Sequence, residues 1–219
     1  MYSGRMLNRI RLVAIATLFF ASPALAQTVL DGKGALAEYD AGMAAIEAEE
    51  FETARVHLDR ACQWGVAVAC HNLGILWTNG KGGPKDMSKA RPLFQTGCDG
   101  KYAGETPGDA CFNYALALEK GWGGAQDLSG ARDYYLKGCS TDQQYACFNA
   151  GNMQMQGIGG DVDDAGAFAS YDKACGLDIG DACYNAAFLI VKKRATGTAE
   201  KGFTHYKTRA CELGVEKVC

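Results

Sequence analysis

Apolar side chains recur along much of the chain at the spacing of amphipathic helices. Ala131, Tyr134 and Tyr135 stand at positions i, i+3 and i+4, so they share one face of a helix. Residues 35–50 are amphipathic in the same way. No stretch shows sustained alternation of apolar and polar residues flanked by hairpin turns, which is the pattern of strands. The sequence therefore predicts an all-α protein.

The cysteines are spaced regularly in five consecutive pairs. The two members of a pair lie 8 residues apart, except in the second pair, where they lie 13 apart. The first members recur at intervals of 36, 41, 36 and 36 residues, so one five-residue insertion within residues 101–108 accounts for both irregularities. The pairs are Cys62 and Cys70, Cys98 and Cys111, Cys139 and Cys147, Cys175 and Cys183, and Cys211 and Cys219. A fixed period of this length indicates a repeat array.

Other residues keep the register of the cysteines. In the first three repeats a Gly-x-Gly-Gly segment begins ten residues after the second cysteine, and an aspartate follows it. We expect Asp86, Asp127 and Asp163 to cap the helix that begins the next repeat, and the glycines to end the preceding helix. Asp109 and Asp181 are expected to cap second helices. The sequence thus predicts a solenoid of helix pairs, each burying its apolar face against its neighbours.

The chain is predicted to divide into four parts. Residues 1–26 are interpreted as a cleaved signal peptide, because three arginines precede a short apolar run and Ala24-Leu25-Ala26 has the small-x-small pattern of a cleavage site. Residues 27–34 are a short linker and residues 35–50 an N-terminal capping helix. Residues 51–219 form the array, with about four helix pairs and a truncated C-terminal unit.

Composition bears on the compartment and on the partners. The apolar run of the signal, Leu12–Ala21, is about half the length of a membrane span. Nothing later in the sequence approaches 18 continuous apolar residues, so the mature chain is not expected to be membrane-embedded. An exported chain with ten cysteines is expected in a bacterial periplasm or outside the cell. Without residues 1–26 the formal net charge falls from −3 to −6, and the basic residues are scattered. Nucleic acid is therefore not an expected partner, and the oligomeric state is left open.

The turn inside each helix pair is expected to bring its two cysteines together, which favours a disulfide within each repeat. Zinc is the alternative, but paired zinc ligands are usually separated by two to four residues and every gap here is larger. The pairing of Cys219 stays open, because its helix is truncated. His57, His71 and His205 fall at non-equivalent repeat positions, so we expect neither a metal site nor a cofactor.

These features resemble the Sel1-like repeat family, which is related to the tetratricopeptide repeats, and within it the cysteine-rich Helicobacter-type (Hcp) branch. The resemblance extends over residues 51–219 and rests on the cysteine pairs, the Gly-x-Gly-Gly turn followed by Asp, and the Ala-Arg pairs at residues 90–91 and 131–132. It implies an α/α superhelical solenoid whose concave surface binds a protein or peptide. Members of the branch are described as penicillin-binding or β-lactamase proteins. The resemblance therefore implies β-lactam binding or weak β-lactam hydrolysis as the alternative function.

A serine β-lactamase uses a Ser-x-x-Lys motif, and residues 170–173 match its letters. In other repeats the position of Ser170 holds His57, Leu93, Tyr134 or Tyr206, so the match is better explained as drift within the repeat. Neither Ser-Asp-Asn nor Lys-Thr-Gly accompanies it. We therefore assign no catalytic residue and favour a scaffold over an enzyme.

One asparagine in each of four repeats stands two residues after the second cysteine. These residues are Asn72, Asn113, Asn149 and Asn185. In one interpretation their amides line a groove and bind the backbone of an extended peptide. In the interpretation that we favour, each amide bonds a neighbouring turn and keeps the repeats in register. Among the aromatic residues, Tyr134, Tyr135, Tyr171 and Tyr206 are interpreted mainly as packing, and Trp122 as an exposed contact.

Overall fold

The computed structural model describes residues 33–100, 108–194 and 202–219. These residues form ten α-helices and a final 3₁₀ turn, with no strand among them. The helices are α1 (Lys33–Glu47), α2 (Phe51–Gln63), α3 (Ala67–Asn79), α4 (Met87–Asp99), α5 (Gly108–Lys120), α6 (Leu128–Ser140), α7 (Gln144–Gln156), α8 (Asp164–Gly176), α9 (Gly180–Val191) and α10 (Gly202–Glu212). The all-α prediction is confirmed. The predicted signal peptide lies outside the described residues.

Each repeat is a pair of consecutive helices that pack side by side. The pairs are α2 with α3, α4 with α5, α6 with α7 and α8 with α9, and α10 is followed by the 3₁₀ turn Glu216–Val218. Each second helix also packs against the first helix of the next repeat, and α1 packs against α2 ahead of the array. Alternate helices also touch at α3 with α5, α5 with α7, α6 with α8 and α8 with α10, so first helices follow one another along the array and second helices do the same. None of the described helices combines the length and the apolar character that a bilayer crossing requires.

A disulfide closes every repeat. Bonds link Cys62 to Cys70, Cys98 to Cys111, Cys139 to Cys147, Cys175 to Cys183 and Cys211 to Cys219, and no cysteine is left free. The helical solenoid with disulfides inside its repeats is therefore confirmed. Each bond joins the last turn of a first helix to the element that follows it. A thin array has little core in any one repeat, so covalent closure of each hairpin matters more here than in a single large domain.

Aspartates begin the first helices as expected. The Asp86 carboxylate accepts hydrogen bonds from the amides of Ser88 and Lys89, and Asp127 and Asp163 each accept one amide of their own helix.

The same expectation was wrong for the second helices. The cap of α9 is Ile179, without a side-chain hydrogen bond, and Asp181 lies inside the first turn, as Asp109 does in α5. The connection after α8 is so short that α9 already begins at Gly180. The Asp181 carboxylate therefore lies beside the positive end of the helix dipole instead of capping it.

Neighbouring repeats pack closely because an aromatic ring of one repeat lies against a small residue in the second helix of the repeat before it. A methyl group added to Gly74 would lie 2.6 Å from the Phe94 ring, and one added to Gly151 would lie 2.7 Å from the Tyr171 ring. The small residue of each second helix therefore makes room for an aromatic residue of the next repeat, as close packing of helices requires. Tyr135, Tyr171 and Tyr206 are buried, which agrees with their interpretation as packing residues.

Candidate functional site

An arginine in each of the first three repeats ties the first helix to the glycine turn that ends the repeat. Arg55 Nη2 donates to the carbonyl oxygens of Leu76, Gly83 and Pro84 at 3.1, 3.4 and 3.5 Å. In the next two repeats Arg91 Nη1 donates to Ala125 O and Arg132 Nη1 to Asp161 O, both at 2.8 Å. Since the three turns share one sequence pattern, these bonds occupy the same place in each repeat.

The third glycine of each turn gives the guanidinium its room. A methyl group added to Gly83, Gly124 or Gly160 would lie 2.7–2.8 Å from the arginine Nη1 of the same repeat. The fourth repeat has lost both partners, since Phe168 follows Ala167 where an arginine would stand and no Gly-x-Gly-Gly follows α9. The arginine and the glycine turn therefore occur together, and both are missing where one of them is missing.

The α2–α4 groove is an open cavity of about 590 Å³ between the first helices of the first two repeats. Val56 of α2 stands on one wall and is 51% exposed. Leu93 and Pro92 of α4 form the other wall, and Trp77 of α3 lines the groove between them. An exposed apolar wall beside a half-buried indole is suited to binding a side chain of a partner.

Two cations of the α2–α4 groove share the Trp77 ring. The guanidinium carbon of Arg55 lies 3.7 Å from the ring centroid, and the Lys89 ammonium lies 4.1 Å from it. Arg55 is only 8% exposed, and its Nε is buried without a hydrogen-bond partner. Burial lowers the pKa of Arg55, and the field of Glu52 opposes that effect. Both distances are those of cation–π contacts, in which the face of the indole attracts each positive charge.

The asparagines of the register contact side chains from the preceding part of the chain. Asn72 Nδ2 lies 3.3 Å from Met43 Sδ of α1, and Asn113 Nδ2 lies 3.0 Å from His71 Nε2 of α3. Burial raises the pKa of Tyr135, whose hydroxyl donates to Glu119 Oε2 at 2.7 Å, and the Asn149 side chain acts to lower that pKa. Each of these amides therefore reaches an earlier helix.

The fourth asparagine takes part in a small network between the third and fourth repeats. Asn185 Nδ2 donates to Asn152 Oδ1 at 3.5 Å, and the Tyr171 hydroxyl donates to the same oxygen at 2.7 Å. Burial raises the pKa of Tyr171 to about 12, although the hydrogen bond with Asn185 and the charge of Arg194 act to lower it. Tyr171 therefore stays protonated and acts as a donor at neutral pH.

Ser170 and Lys173 do not form a catalytic pair. The Ser170 side chain is 5% exposed, and its Oγ lies 2.7 Å from the amide group of Gln154. The Lys173 ammonium forms an ion pair with Asp142 at 2.8 Å. A Ser-x-x-Lys nucleophile must be open to substrate and close to its lysine amine. Here the hydroxyl is buried and the amine is paired with another repeat.

The remaining candidate residues are dispersed. Trp122 is 45% exposed in its glycine turn, which agrees with its interpretation as an exposed contact. His57 Nδ1 lies 2.6 Å from Glu38 Oε2, His71 contacts Asn113, and the ring of His205 packs against Tyr206. Within residues 33–100, 108–194 and 202–219, no three acidic, histidine or cysteine side chains are grouped as metal ligands.

Stacked helix pairs, each closed by a disulfide and tied to its neighbour by a repeated turn, define an α/α repeat scaffold. The Sel1 repeat profile matches residues 67–102, 108–140 and 144–178. The chain is therefore a Sel1-repeat protein, and the Hcp branch within that family is not indicated by the match.

Solved structures agree with this assignment. The fold is similar to a Sel1 repeat protein from Oxalobacter formigenes, with a TM-score of 0.71 and 20% identity, covering 82% of this chain and 72% of that one. It is also similar to a protective antigen of uropathogenic Escherichia coli that displays an SLR fold, with a TM-score of 0.70 and 20% identity. That match covers 84% of this chain and 38% of the antigen. No curated protein matches the sequence.

Sequence reasoning missed the α2–α4 groove. The sequence analysis singled out neither Trp77 nor Arg55. Two signals pointed to this place. Trp77 stands where the next three repeats have Leu118, Gln154 and Ile190, and Pro92 interrupts an otherwise helical segment.

Proposed function

We propose that the protein is an exported scaffold that binds another protein or a peptide along the row of its first helices. The observation that carries the proposal is the α2–α4 groove, where the exposed Val56 and the half-buried Trp77 ring leave an apolar surface open between consecutive first helices. Repeat arrays generally bind partners along such extended rows. In this proposal the row is the concave side of the solenoid.

Export is supported by the residues that begin the chain and by the disulfides. Residues 1–26 have the charge, apolar run and cleavage pattern of a signal peptide. Five disulfides and no free thiol suit an oxidising compartment such as a periplasm or the exterior. In this proposal the mature chain begins at Gln27.

The asparagines act in this proposal as spacers between repeats. The contacts of Asn72, Asn113, Asn149 and Asn185 with earlier helices support this role, because each half-buried amide has a partner inside the protein. An amide engaged in this way is not available to the backbone of a peptide. The binding surface therefore rests on the first helices.

Site-specific photo-crosslinking tests the partner proposal. A benzophenone side chain placed at Ser88, on the rim of the α2–α4 groove, is expected to capture one main protein from exported fractions. The control position is Tyr145 on α7, which is 50% exposed in the row of second helices. The captured protein, once purified, must bind the chain, and the substitution Val56→Glu must abolish both capture and binding.

Two results would contradict the proposal. Equal capture from Ser88 and Tyr145 would indicate nonspecific contact, and no capture at Ser88 would mean that the groove has no partner in the fraction where the protein resides. Val56 is exposed, so the Val56→Glu variant is expected to fold, and its effect therefore reports on binding.

A further inference from the structure

An aromatic ring recurs at one position of the repeat and lies on the second helix of the repeat before it. This ring position is four residues before the first cysteine of a repeat. In the second, third and fourth repeats it holds Phe94, Tyr135 and Tyr171. Each of these rings has its centroid 5.9–6.1 Å from that of an aromatic residue just after the preceding second cysteine, which is His71, Phe112 or Phe148. The three rings therefore lie in equivalent places.

Tyr171 shows which residues of a second helix form the socket for such a ring. A methyl group added to Gly151, four residues after the second cysteine, would lie 2.7 Å from the Tyr171 ring. The Tyr171 hydroxyl donates to Asn152 Oδ1 at 2.7 Å and lies 3.8 Å from Met155 Sδ. Together with Phe148, these residues place the socket one, four, five and eight residues after the second cysteine. The ring thus covers about two turns of the preceding helix.

The fifth repeat has no ring at this position. Lys207 stands there, and its side chain is exposed. The α9 socket, which is the set of the four equivalent positions on α9, comprises Tyr184, Ala187, Phe188 and Val191. All four residues line a cavity of about 390 Å³, and Lys207 lines it as well. The cavity therefore lies where the earlier repeats place their ring.

The chemistry of the α9 socket suits a ring without a hydroxyl group. In the earlier sockets the tyrosine hydroxyls donate to Asn152 and Glu119, which stand five and eight residues after a second cysteine. Phe188 and Val191 occupy these positions in α9, and their side chains contain no acceptor. Val191 is 59% exposed, and Phe203 of α10, which also lines the cavity, is 43% exposed. A phenyl group bound here would remove this apolar surface from water and contact aromatic side chains of the lining.

We propose that the α9 socket binds a phenylalanine side chain of a partner polypeptide. The argument for this occupant is that the equivalent positions of three earlier second helices already hold an aromatic side chain of the following repeat. In those repeats the ring is supplied by a polypeptide whose backbone stays outside the socket, and the cavity at α9 is open in the same way. The inference goes beyond the proposed function, because it does not depend on the α2–α4 groove.

A pair of capped tripeptides tests the inference. Gly-Phe-Gly and Gly-Leu-Gly are titrated into the oxidised protein, and the methyl signal of Ala187 is followed by NMR. We expect the Phe peptide to shift that signal, because Ala187 forms the floor of the α9 socket as Gly151 does for Tyr171. The Leu peptide should bind about fivefold more weakly, because it buries a similar apolar group but lacks the contacts between aromatic rings.

Substitutions at Lys207 separate the ring position from the rest of α10. Lys207→Phe restores the residue type of Phe94, so its ring should fill the α9 socket, raise the urea midpoint of unfolding and abolish binding of the Phe peptide. Lys207→Gln removes the charge without adding a ring and should bind the Phe peptide like the wild type. Thr208→Phe is the matched control, since it adds the same ring at the next exposed position of α10 and should change neither binding nor stability.

Equal affinity for the Phe and Leu peptides would overturn the inference, and so would the absence of a shift at Ala187 or unchanged binding to the Lys207→Phe variant. If Lys207→Phe gains no stability over Thr208→Phe, the cavity is not the recurring ring position and the argument for its occupant fails. Crosslinking at Ser88 probes the other end of the array, so failure of the proposed function and failure of this inference are observed separately.

Discussion

At the scale of single residues, His71 shows how a half-buried polar side chain links two repeats. Its Nε2 lies 3.0 Å from Asn113 Nδ2, and its ring packs near Phe94 with the centroids 5.9 Å apart. With the amide nitrogen of Asn113 facing the ring, Nε2 accepts its hydrogen bond, which fits a neutral ring. Burial lowers the pKa of His71, while the charge of Asp109 and a hydrogen bond with Asn72 act to raise it.

We expect His71 to make stability depend on pH. In the unfolded chain its pKa returns to about 6.5, so on acidification the unfolded state takes up the proton first. The contribution of the neutral ring is thus present above pH 6.5 and is lost as the pH falls through the lower folded pKa. His71→Phe introduces the residue found at this position in the next two repeats, Phe112 and Phe148, and should reduce the loss of stability between pH 7 and pH 5.

Urea unfolding of both proteins at the two pH values measures this difference. A pH dependence that is the same in both proteins would contradict the assignment, as would a wild type that gains stability on acidification relative to the variant. The sequence alone could not name the partner of His71. Asn113 is 42 residues away, and the contact depends on how two helices are rotated about their axes.

At the scale of elements, the glycine turn joins a helix end to the start of another helix. Gly123 has φ +72°, and a methyl group added there would collide with the carbonyl of Met87 at the start of α4. The sequence predicted the turn and the Asp caps, because both follow from local backbone chemistry. It did not predict the close approach to Met87 or the bond from Arg91, because these arise only when the hairpin is closed.

We expect Gly123→Ala to lower the free energy of unfolding by about 2–4 kcal/mol, from a strained positive φ and a clash with backbone that cannot move aside. Gly176→Ala is the control. Gly176 is the exposed last residue of α8, and an added methyl group would meet no atom within 4 Å. That change should be neutral or stabilising by up to about 1 kcal/mol. Similar losses in both variants, measured by chemical denaturation, would show that the turn is not built as described.

At the scale of the whole molecule, the period of the cysteines was sufficient to predict the architecture. Each hairpin contacts mainly its neighbours, so the spacing of one repeat determines the array. The α2–α4 groove was not predictable in this way, because it depends on departures from the repeat. Trp77, Lys89 and Pro92 stand at positions where other repeats differ, and only the folded structure brings them to the lining of one groove.

The exposure of each disulfide predicts the order in which a reductant opens the five bonds. The eight cysteines of the first four repeats are at most 8% exposed, whereas Cys219 is exposed and Cys211 half-buried. Unreduced, denatured protein should contain no free thiol. Graded reduction of the native protein should open the bond between Cys211 and Cys219 first, because a reductant thiolate must reach a sulfur atom. Each eight-residue loop opened later should cost about 2.5 kcal/mol. Differential alkylation with peptide mapping gives the order in which the disulfides open. Labelling of Cys98 or Cys111 before Cys219 would contradict the prediction, because the buried disulfide of the second repeat would then have opened before the exposed disulfide of the fifth.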